Sequence, residues 1–341
     1  MKQIGIIGYG NLARGVERAL NACPDMQLKV VFSKRSNIII QTKNAVAESV
    51  EKLGDYKGKL DVVICCGGSA TDLPKQTPDV ASLFNFVDSF DNHADIPRHF
   101  DTVDKAAKAN NTVGVISAGW DPGLFSIMRL YSQAFLPFGQ TFTFWGKGVS
   151  QGHSDALRRI KGVAAAVQYT IPQDEAMDKV RLGKNPQFTP RQTHKRICYV
   201  VLDENLKNDS AAQENIKTQI ITMPNYFADY DTAVNFIDLA EFKANHQAMP
   251  HGGHVIHTGA IGLDNEENLN TSDKKTDDRH SMEFSLKLGS NPYFTGSVLT
   301  AYARAAARLS DEKITGAKTV FDIPPVYLSP KSSLELYKEI L

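Results

Sequence analysis

The sequence lacks an excess of charge of either sign, and it lacks long hydrophobic runs. Lysine plus arginine number 38, as do aspartate plus glutamate, so the net charge gives no attraction for a nucleic acid or an anionic membrane. No apolar run approaches the length of a membrane span, and no signal peptide precedes the first predicted strand. We therefore expect a cytoplasmic protein with small molecules as partners, and with no nucleic acid and no membrane.

Cysteines are few, and their spacing fits neither a disulfide framework nor a metal site. They lie far apart or adjacent, at Cys23, Cys65, Cys66 and Cys198, and we predict that they are reduced core residues. His251, His254 and His257 recur every third residue. Three-residue steps alternate between the faces of a strand, and no carboxylate lies in the pattern, so we predict no metal.

The stretch from Ile4 to Ala13 has the pattern of a strand, a tight turn and a helix. An apolar run ends at Gly8, and apolar residues return after Gly10 at helical spacing. Gly8, Gly10 and Ala13 match the dinucleotide-binding fingerprint, in which these positions make the turn, admit a pyrophosphate and let helix pack on strand. Glycines also end strands in proteins without ligands. A second apolar strand at 28–32 gives the βαβ context that favours a dinucleotide site.

The residues that end this second strand indicate which dinucleotide binds. A preference for NAD usually depends on a carboxylate that accepts hydrogen bonds from the ribose 2′-hydroxyl, whereas this chain has Ser33, Lys34, Arg35 and Ser36. Arg35 can hold a phosphate with its planar guanidinium, and Lys34 adds a second positive charge. A solvated basic turn is the alternative. We predict NADP as the cofactor.

Three further apolar strands, at 60–66, 84–90 and 113–116, end in polar loops. Ligands of such sheets bind beyond the carboxyl ends of the strands, so we expect Asp91 and Asp121, which follow two of these strands, to face one crevice. Either aspartate could instead be a helix cap or a turn residue. The residues predicted to contact the cofactor are Gly8, Tyr9, Gly10, Asn11, Leu12, Ser33, Lys34, Arg35, Ser69, Ala70, Thr71, Asp72, Asp91, Asn92, Ala118, Gly119, Trp120, Asp121, Pro122 and Gly123.

The length of 341 residues allows two domains, and the pattern changes after about residue 120. Later strands are predicted at 141–145, 163–170, 196–202, 232–237, 255–261 and 284–288, with one helix among them at 154–161. A late helix at 295–309 and a tail at 319–328 return to the first domain. The predicted fold class is α/β, a Rossmann-type doubly wound parallel sheet plus an α+β substrate and dimerisation domain with a mixed, mostly antiparallel sheet. The first domain spans 1–120 and is completed by about 295–341, and the second spans 121–294.

Several polar groups of the second half are hard to explain as surface residues. Trp145 ends a strand, the run 150–155 opens a helix, and Thr170 and Arg196 lie near strand ends. His251 lies in a glycine-flanked loop before a strand. A surface arginine on a strand is the alternative for Arg196. The polar run 264–280, which is short of apolar anchors, is predicted to be a mobile surface excursion.

Six separated blocks carry a resemblance to a known family. They are the segments 8–12, 90–99, 119–123, 150–159, 192–196 and 249–254, which read GYGNL, FDNHADIPRH, GWDPG, SQGHSDALRR, QTHKR and MPHGGH. Together they resemble meso-diaminopimelate dehydrogenase over nearly the whole chain. The resemblance implies a homodimer that carries out NADP-dependent oxidative deamination at the D-centre of meso-2,6-diaminopimelate, giving L-2-amino-6-oxopimelate and ammonia. In reverse, this reaction supplies lysine and cell-wall synthesis.

The resemblance also implies how the substrate is held. The D-centre lies near the nicotinamide, with Asp91 and Asp121 near its ammonium group. The surrounding residues are Trp120, Trp145, Gln151 and Gly152. The L-centre is held away from the hydride path by Thr170, Arg196, His251 and Asn291. Asp91 or Asp121 takes the proton that the amine sheds, directly or through a water, and the residues leave open which one does so.

The chain departs from the family pattern in two places. The run 264–280 resembles an insertion upstream of Asn291, and Lys147 stands where the family often has proline. Three other functions are compatible with the residues. The chain could be an NADP-dependent D-amino-acid dehydrogenase of broader specificity, another two-domain reductase of the lysine and aspartate route, or an NADP(H)-sensing module without catalysis.

Overall fold

The computed structural model describes residues 1–262 and 279–341. Two compact units account for them: unit 1 comprises Met1–Ile127 and Pro292–Leu341, and unit 2 comprises Met128–Asn291. The sequence placed the two boundaries a few residues away, after 120 and after 294. The assignment of cofactor binding to one domain and substrate binding to the other stays a prediction.

The strands, in chain order, are β1 Lys2–Ile7, β2 Met26–Ser33, β3 Val46–Ser49, β4 Val62–Cys65, β5 Asn85–Asp88, β6 Val113–Val115, β7 Phe138–Trp145, β8 Gly148–Val149, β9 Val163–Pro172, β10 His194–Leu202, β11 Asp231–Phe236, β12 His251–Ala260, β13 Arg279–Leu288 and β14 Gly316–Lys318.

The helices are α1 Asn11–Asn21, α2 Leu73–Ala81, α3 Ile96–Ala109, α4 Leu124–Phe135, α5 Gln151–Arg158, α6 Asp174–Arg181, α7 Pro190–Thr193, α8 Ser210–Ile221, α9 Leu239–Asn245, α10 Asn291–Asp311 and α11 Ser333–Ile340. Short 3-10 helices lie at Val50–Tyr56, His93–Asp95, Val320–Asp322 and Pro325–Leu328.

Unit 1 is built on a seven-stranded parallel sheet with the order β14-β6-β5-β4-β1-β2-β3. Apolar side chains of the central strands point to both faces of this sheet. On one face they pack with α1 and α10, and on the other with α2 and α3. Because helices cover both faces, strands such as β4 are buried throughout their length. The predicted doubly wound parallel sheet of Rossmann type is confirmed.

The first and last helices of unit 1 approach each other closely at two glycines. A Cβ atom on Gly15 of α1 would overlap the backbone of Pro292 and Tyr293, and one on Gly296 of α10 would overlap Gly15. Only glycine permits this backbone-to-backbone packing. The late helix predicted at 295–309 is therefore part of the Rossmann-type fold of unit 1, and β14 adds the sheet's outermost strand beside β6.

Unit 2 contains two sheets, a four-stranded one with the order β11-β10-β9-β8 and a three-stranded one with the order β13-β12-β7. Among the described residues, β10 and β11 pair in parallel and the other pairs of these two sheets are antiparallel. Leu157 of α5 and Ile216 and Ile220 of α8 pack in the core of the larger sheet. Met177 and Val180 of α6 pack in the core of the smaller one.

The prediction of one helix among these strands was wrong, because α6, α7, α8 and α9 are also present. Each of these helices is short or buries little. The helix α8 buries only Ile216 and Ile220, and α9 buries none of its residues. A narrow apolar stripe gives a weak periodic signal, so propensity alone did not reveal these helices.

The predicted excursion at 264–280 lies almost entirely outside the described residues. Its last two residues, Arg279 and His280, begin β13 and pair with Ala260 and Gly259 of β12. That strand was predicted to begin only at 284. Among the described residues, no helix has the length and apolar character needed to cross a membrane.

Candidate active site

The nucleotide turn of unit 1 lies between β1 and α1. Gly8 has a φ of 91°, in the left-handed region that glycine adopts without steric cost. A Cβ on Gly10 would meet no protein atom within 4 Å, so the space beside it is open to a ligand. Gly10 is the N-cap of α1, and the first turn of α1 carries no acidic side chain. A helix start of this kind favours an anionic group.

The two cations that follow β2 lie beside this turn. Nη2 of Arg35 donates a hydrogen bond to the carbonyl oxygen of Tyr9, and the backbone N–H of Arg35 donates to Oγ of Ser33 at 3.0 Å. Nζ of Lys34 lies 3.3 Å from Oδ1 of Asp72, and the Lys34 side chain is largely exposed. Arg35 therefore lies at the glycine turn, and Lys34 lies at the loop that follows β4.

A buried carboxylate that the sequence analysis missed holds the next segment in place. Glu17 of α1 accepts hydrogen bonds from the backbone N–H groups of Gln41 and Thr42 at 2.7 Å each, and from the hydroxyl of Tyr9 at 2.6 Å. Glu17 is 2% exposed. It ties the segment after Arg35 to the helix that begins at the nucleotide turn. Its only sequence signal is a charged residue on the apolar face of α1.

The loop after β4 contains the predicted contacts Ser69, Ala70, Thr71 and Asp72. The backbone N–H of Gly68 donates to Oδ2 of Asp72 at 3.0 Å, and this bond holds the pKa of Asp72 below its usual value. The backbone N–H of Asp91 donates to Oγ of Ser69 at 2.8 Å. The loops after β4 and β5 therefore meet at the carboxyl end of the sheet.

Asp91 and Asp121 follow neighbouring strands of this sheet. The strands β5 and β6 pair in parallel, so both residues lie beyond the same edge. Asp91 is exposed and Asp121 is half-buried. Trp120 is 7% exposed and packs edge-on against Phe125, with ring centroids 5.2 Å apart. The backbone N–H of Phe125 donates to the Trp120 carbonyl at 2.8 Å, so the loop turns directly into α4.

The predicted contacts of unit 2 gather around the link from β7 to β8. Gly146 has a φ of 113°, and a Cβ there would overlap the carbonyl of Thr170. A Cβ on Gly148 would overlap His251. The two glycines let this link pass closely between Thr170 and His251, with Trp145 at its start. The exposed Lys147 lies in the same link.

Two more predicted contacts join this group through the loop before β12. Nε2 of Gln151 lies 3.4 Å from Sδ of Met249, and the backbone N–H of Asn291 donates to the carbonyl of Met249 at 2.8 Å. Gly152, in the first turn of α5, is exposed, and a Cβ there would meet no protein atom within 4 Å. The unit 2 residues chosen from the sequence thus lie around one loop and its neighbouring strands.

Arg196 is a buried cation that has no acidic partner among the described residues. It is 7% exposed, and its Nη1 donates to the hydroxyl of Thr170, its partner across β9 and β10. Its guanidinium carbon lies 3.9 Å from the ring centroid of Tyr230. Among the residues that the structure describes, its Nε has no hydrogen-bond partner, and burial lowers the pKa of Arg196. A buried charge without a counter-charge is costly, and an anionic ligand would remove that cost.

Two neutral histidines border this arginine, and the sequence analysis gave neither a role. Burial first, and the charge of Arg196 second, lower the pKa of His153 and of His194 to about 4. Nε2 of His194 accepts a hydrogen bond from the backbone N–H of Trp145 at 2.9 Å, so that nitrogen carries no proton. Since both rings are uncharged near neutral pH, Arg196 is the buried positive charge beside them.

Tyr230 and Gln168 are two further residues that the sequence analysis missed. Tyr230 lies in the loop before β11 and stacks on Arg196. Gln168 is fully buried on β9, donates from Nε2 to the Thr170 hydroxyl at 3.3 Å, and leaves its Oε1 without a partner. The cluster of aromatic residues at 226–230 was a signal for the first. The second could be found only by pairing β9 with β10.

The three histidines at 251, 254 and 257 lie on β12 and have separate partners. Nδ1 of His254 lies 3.1 Å from Glu283, and Nδ1 of His257 lies 2.6 Å from the hydroxyl of Thr141. Among the described residues, no group of three or more histidines, cysteines or acids could hold a metal ion. The four cysteines are unpaired thiols, with Cys65 and Cys198 buried.

Comparison with known proteins identifies the family. The model of the diaminopimelic acid dehydrogenase C-terminal domain matches residues 119–290. A curated meso-diaminopimelate D-dehydrogenase of Lysinibacillus sphaericus is 53% identical over 340 residues, which is 99% of each chain. The chain belongs to the meso-diaminopimelate dehydrogenase family.

Solved members of the meso-diaminopimelate dehydrogenase family share the fold throughout. A substituted meso-diaminopimelate dehydrogenase of Clostridium tetani, solved with DAP, is 48% identical with a TM-score of 0.88, and all of both chains is covered. An engineered D-amino acid dehydrogenase bound to NADP+ is 43% identical with a TM-score of 0.82, covering 100% of this chain and 99% of that one.

Proposed function

We propose that this chain catalyses the NADP-dependent oxidative deamination of meso-2,6-diaminopimelate at its D-centre, and the reverse reductive amination in lysine biosynthesis. The products of deamination are L-2-amino-6-oxopimelate and ammonia. The names of its relatives support this activity. The observation in this chain that supports it best is Arg196, whose buried Nε lacks a partner. A substrate with a carboxylate at each end supplies the missing counter-charge, because one end can bind Arg196 while the other end reacts.

The residues of unit 1 fit NADP. The open space at Gly10 and the start of α1 suit a pyrophosphate, and Arg35 and Lys34 suit the phosphate on the ribose. When bound, NADP+ takes the hydride from the D-centre carbon. The residues proposed to hold it are those predicted from the sequence in the segments 8–12, 33–35, 69–72, 91–92 and 118–123.

Asp91 and Asp121 are proposed to act on the reacting amine. An ammonium group must shed a proton before its nitrogen can form a double bond to carbon, and a carboxylate at the sheet edge can take that proton directly or through a water. The resulting imine is hydrolysed to release ammonia. Trp120, Trp145, Gln151 and Gly152 are proposed to bound this end of the substrate, so that it presents the D-centre alone.

The far end of the substrate is proposed to bind in unit 2. Arg196 and Thr170 would hold the distal carboxylate, while His251 and Asn291 would contact the L-centre's remaining polar groups. Because the two histidines are neutral, they add no buried charge to that of Arg196, and one carboxylate is sufficient to neutralise this guanidinium. This arrangement selects against substrates that lack a second carboxylate.

Steady-state kinetics test the proposal. The wild-type enzyme is assayed with meso-diaminopimelate and with simple D-amino acids, each with NADP+ and with NAD+. Efficient turnover of meso-diaminopimelate with NADP+ supports the assignment. Turnover of simple D-amino acids without turnover of meso-diaminopimelate would contradict it and favour a broader D-amino-acid dehydrogenase.

Variants at the paired aspartates separate an enzyme from an NADP(H)-sensing module. Asp121→Asn and Asp91→Asn are compared for turnover and for NADPH binding. We expect the variant at the proton acceptor to lose kcat/KM by about 100-fold or more while NADPH still binds. A sensing module would tolerate both changes, so near-normal function of both variants would contradict the enzymatic role.

We also propose a homodimer, with cytoplasmic location remaining a prediction. Unit 2 exposes four large apolar side chains close together in the chain, Leu130, Tyr131, Phe135 and Phe138, which are 39 to 61% exposed. Tyr131 and Phe135 stack with ring centroids 5.9 Å apart, and Phe138 begins β7, an edge strand. An apolar face continuous with a sheet edge suits a second copy of the same chain.

Light scattering after gel filtration tests this face. We expect a dimer for the wild-type protein and a monomer for Phe135→Asp, with Leu182→Asp as a control at an exposed leucine elsewhere in unit 2. A dimeric Phe135→Asp protein would exclude this face from the interface, and a monomeric wild type would contradict the dimer itself.

A further inference from the structure

A fully buried carboxylate at the end of β5 is part of neither proposed binding region. Asp88 is 0% exposed and accepts four hydrogen bonds. Its Oδ2 accepts from the Thr77 hydroxyl at 2.8 Å and lies 2.6 Å from Nε2 of His99. Its Oδ1 accepts from two backbone N–H groups, those of Phe90 at 3.1 Å and of Ser117 at 2.8 Å.

The two backbone donors belong to the two loops that carry the paired aspartates. Phe90 directly precedes Asp91, and Ser117 opens the loop that contains Asp121. The backbone carbonyl of Asp88 also accepts from the N–H of Ala118 at 2.9 Å. One residue thus fixes the start of both loops, and it lies on β5, which is placed between β6 and β4 in the sheet.

Ser117 shows that its loop needs such an anchor. It has a φ of 54°, in the left-handed region that a serine adopts only at a cost, and its buried hydroxyl has no hydrogen-bond partner in the described part of the chain. The carboxylate of Asp88, which accepts the N–H of Ser117, compensates for part of this cost. The loop geometry is therefore set by a contact from β5 rather than by the loop's own preference.

His99 holds the carboxylate in this orientation. Its ring is 5% exposed, and it stacks on Phe90 with ring centroids 4.1 Å apart and an angle of 16° between the rings. Nε2 therefore reaches Oδ2 from α3, while Thr77 reaches the same oxygen from α2. With Oδ2 occupied by two side chains, Oδ1 is directed at the two loop N–H groups.

We propose that Asp88, oriented by His99, is a positioning residue that sets the placement of Asp91 and Asp121 for the reaction. It acts through the two loops and touches neither substrate nor cofactor. Reacting groups displaced by about 1 Å can lose about 100-fold in rate, so a loop anchor at this point is expected to act on kcat. Only the kinetic tests of this inference rest on the proposed function; the test by hydrogen exchange does not.

The turn between β1 and α1 makes no hydrogen bond to Asp88, so binding at this turn can be compared with turnover. A general loss of structure would affect both. Gly8, Gly10 and Arg35 lie on β1, α1 and the end of β2, and none of them bonds to Asp88. We therefore expect Asp88→Ala to lower kcat by about 100-fold and to weaken NADPH binding by less, at most about 10-fold, because the segments 8–12 and 33–35 keep their contacts while the loops at 91–92 and 118–123 are displaced. With substrate deuterated at the D-centre, the isotope effect on kcat should rise, because misplacement slows the hydride step.

Asp61→Ala is the matched control. Asp61 also accepts a backbone N–H, that of Gln3 at 2.6 Å, but it precedes β4 at the opposite edge of the same sheet. It should lose stability without losing kcat. If Asp88→Ala folds and keeps kcat within about 3-fold of the control, or if NADPH affinity falls by as large a factor as kcat, the positioning role is overturned.

Variants of His99 keep the inference testable if Asp88→Ala does not fold. His99→Gln retains a donor for Oδ2, whereas His99→Phe retains the stack on Phe90 and loses the donor. We expect about a 10-fold lower kcat for His99→Phe and recovery in His99→Gln, since only the first loses the hydrogen bond. Equal kcat values in the two variants would overturn the role of His99.

Amide hydrogen exchange followed by mass spectrometry measures how firmly the two loops are held, and it does not require turnover. Loss of the Asp88 carboxylate or of its His99 donor should speed exchange in the peptides that cover 89–93 and 116–123, and leave the peptide that covers 3–12 unchanged. Uniform changes in all three peptides would overturn the inference. A wild-type enzyme without activity towards meso-diaminopimelate would contradict the proposed function and leave this reading intact.

Discussion

Asp88 in unit 1 and Arg196 in unit 2 are both buried ionisable residues on central strands, and they differ in how completely they are satisfied. Asp88 is in contact with four donors, two of them backbone N–H groups. Arg196 contacts the Thr170 hydroxyl and the ring and hydroxyl of Tyr230, and its Nε has no partner among the described residues. The first residue's environment is complete within the protein, whereas the second residue's is not.

This difference separates two uses of buried charge. A satisfied charge holds its neighbours in one geometry, and its removal damages the framework. An unsatisfied buried charge reduces the stability of the free protein. The protein regains that stability when a ligand supplies the opposite charge. On this reasoning, substitution at the two positions should have opposite effects on folding, and the following predictions test that contrast.

The largest expected effect is at Arg196. Arg196→Met should lower kcat/KM for meso-diaminopimelate by about 100- to 1,000-fold, because it removes the cation that pairs with the distal carboxylate. It should also raise the urea midpoint of unfolding, since an unpaired buried charge is replaced by an apolar chain. Kinetics and urea titration measure the two effects.

The exposed Arg191, which pairs with Asp231 at 3.4 Å, gives the control for that change. Arg191→Met should change kcat/KM by less than about 2-fold and the free energy of unfolding by no more than a few tenths of a kcal/mol, because surface ion pairs contribute little. A less stable Arg196→Met protein that retained its kcat/KM would contradict the contrast drawn between the two buried charges.

The next largest effect concerns the cations of unit 1. Arg35→Ala should raise KM for NADP+ by about 10- to 100-fold, because one or two charge-assisted hydrogen bonds to a phosphate are lost. KM for NAD+ should change little, since that cofactor has no such phosphate. Initial-rate kinetics with both cofactors decide the question, and Lys105→Ala on the exposed face of α3 is the control. Parallel changes for both cofactors would refute a phosphate contact.

A smaller effect is expected at the ring beneath Arg196. Tyr230→Leu removes the stacked face that lies 3.9 Å from the guanidinium carbon. KM for meso-diaminopimelate should rise by about 5- to 10-fold with kcat nearly unchanged, because cation–π stacking at a buried site contributes about 1 to 2 kcal/mol. Tyr230→Phe should restore the wild-type KM. Failure of Phe to restore it would show that the hydroxyl, rather than the ring, matters.

The smallest effect is a pH dependence of folding. His194 has a folded-state pKa of about 4 and an ordinary unfolded value near 6.5, so the unfolded chain takes up the proton first as pH falls. Stability is therefore lost as pH falls from about 6.5 towards 4. His194→Gln should remove about 1 kcal/mol of the loss between pH 7 and about pH 5.5, measured by urea unfolding. The exposed His93→Gln is the control, and an equal effect of both changes would contradict the assignment.

The nucleotide-binding part could be predicted because its signals are local. Gly8 must adopt a left-handed φ, and apolar residues on either side change period within a few positions. The cations at Lys34 and Arg35 likewise follow directly from the strand that precedes them. Strand, turn and specificity segment all lie within the first 35 residues, so no long-range pairing is needed to find them.

For the residues proposed to bind the substrate, the sequence predicted which residues take part but not how they contact one another. Arg196 and Thr170 were chosen as polar residues near strand ends and through the family resemblance. Their contact depends on the antiparallel register of β9 and β10, and the stack on Tyr230 depends on a loop 34 residues further along the chain. Glu17 and Asp88 were missed for the same reason, since a buried carboxylate is recognised by its donors and not by its neighbours in sequence.

The close packing of Gly15 against Gly296 has a consequence for how the protein is made. The helix that starts at the nucleotide turn rests on a helix that leaves the ribosome only when most of the chain has been synthesised. Unit 1 therefore cannot complete its fold, and α1 remains exposed, until the whole of unit 2 and then α10 have been synthesised. A chain cut short before residue 292 would carry every residue of the fingerprint and still lack the surface against which that fingerprint is held.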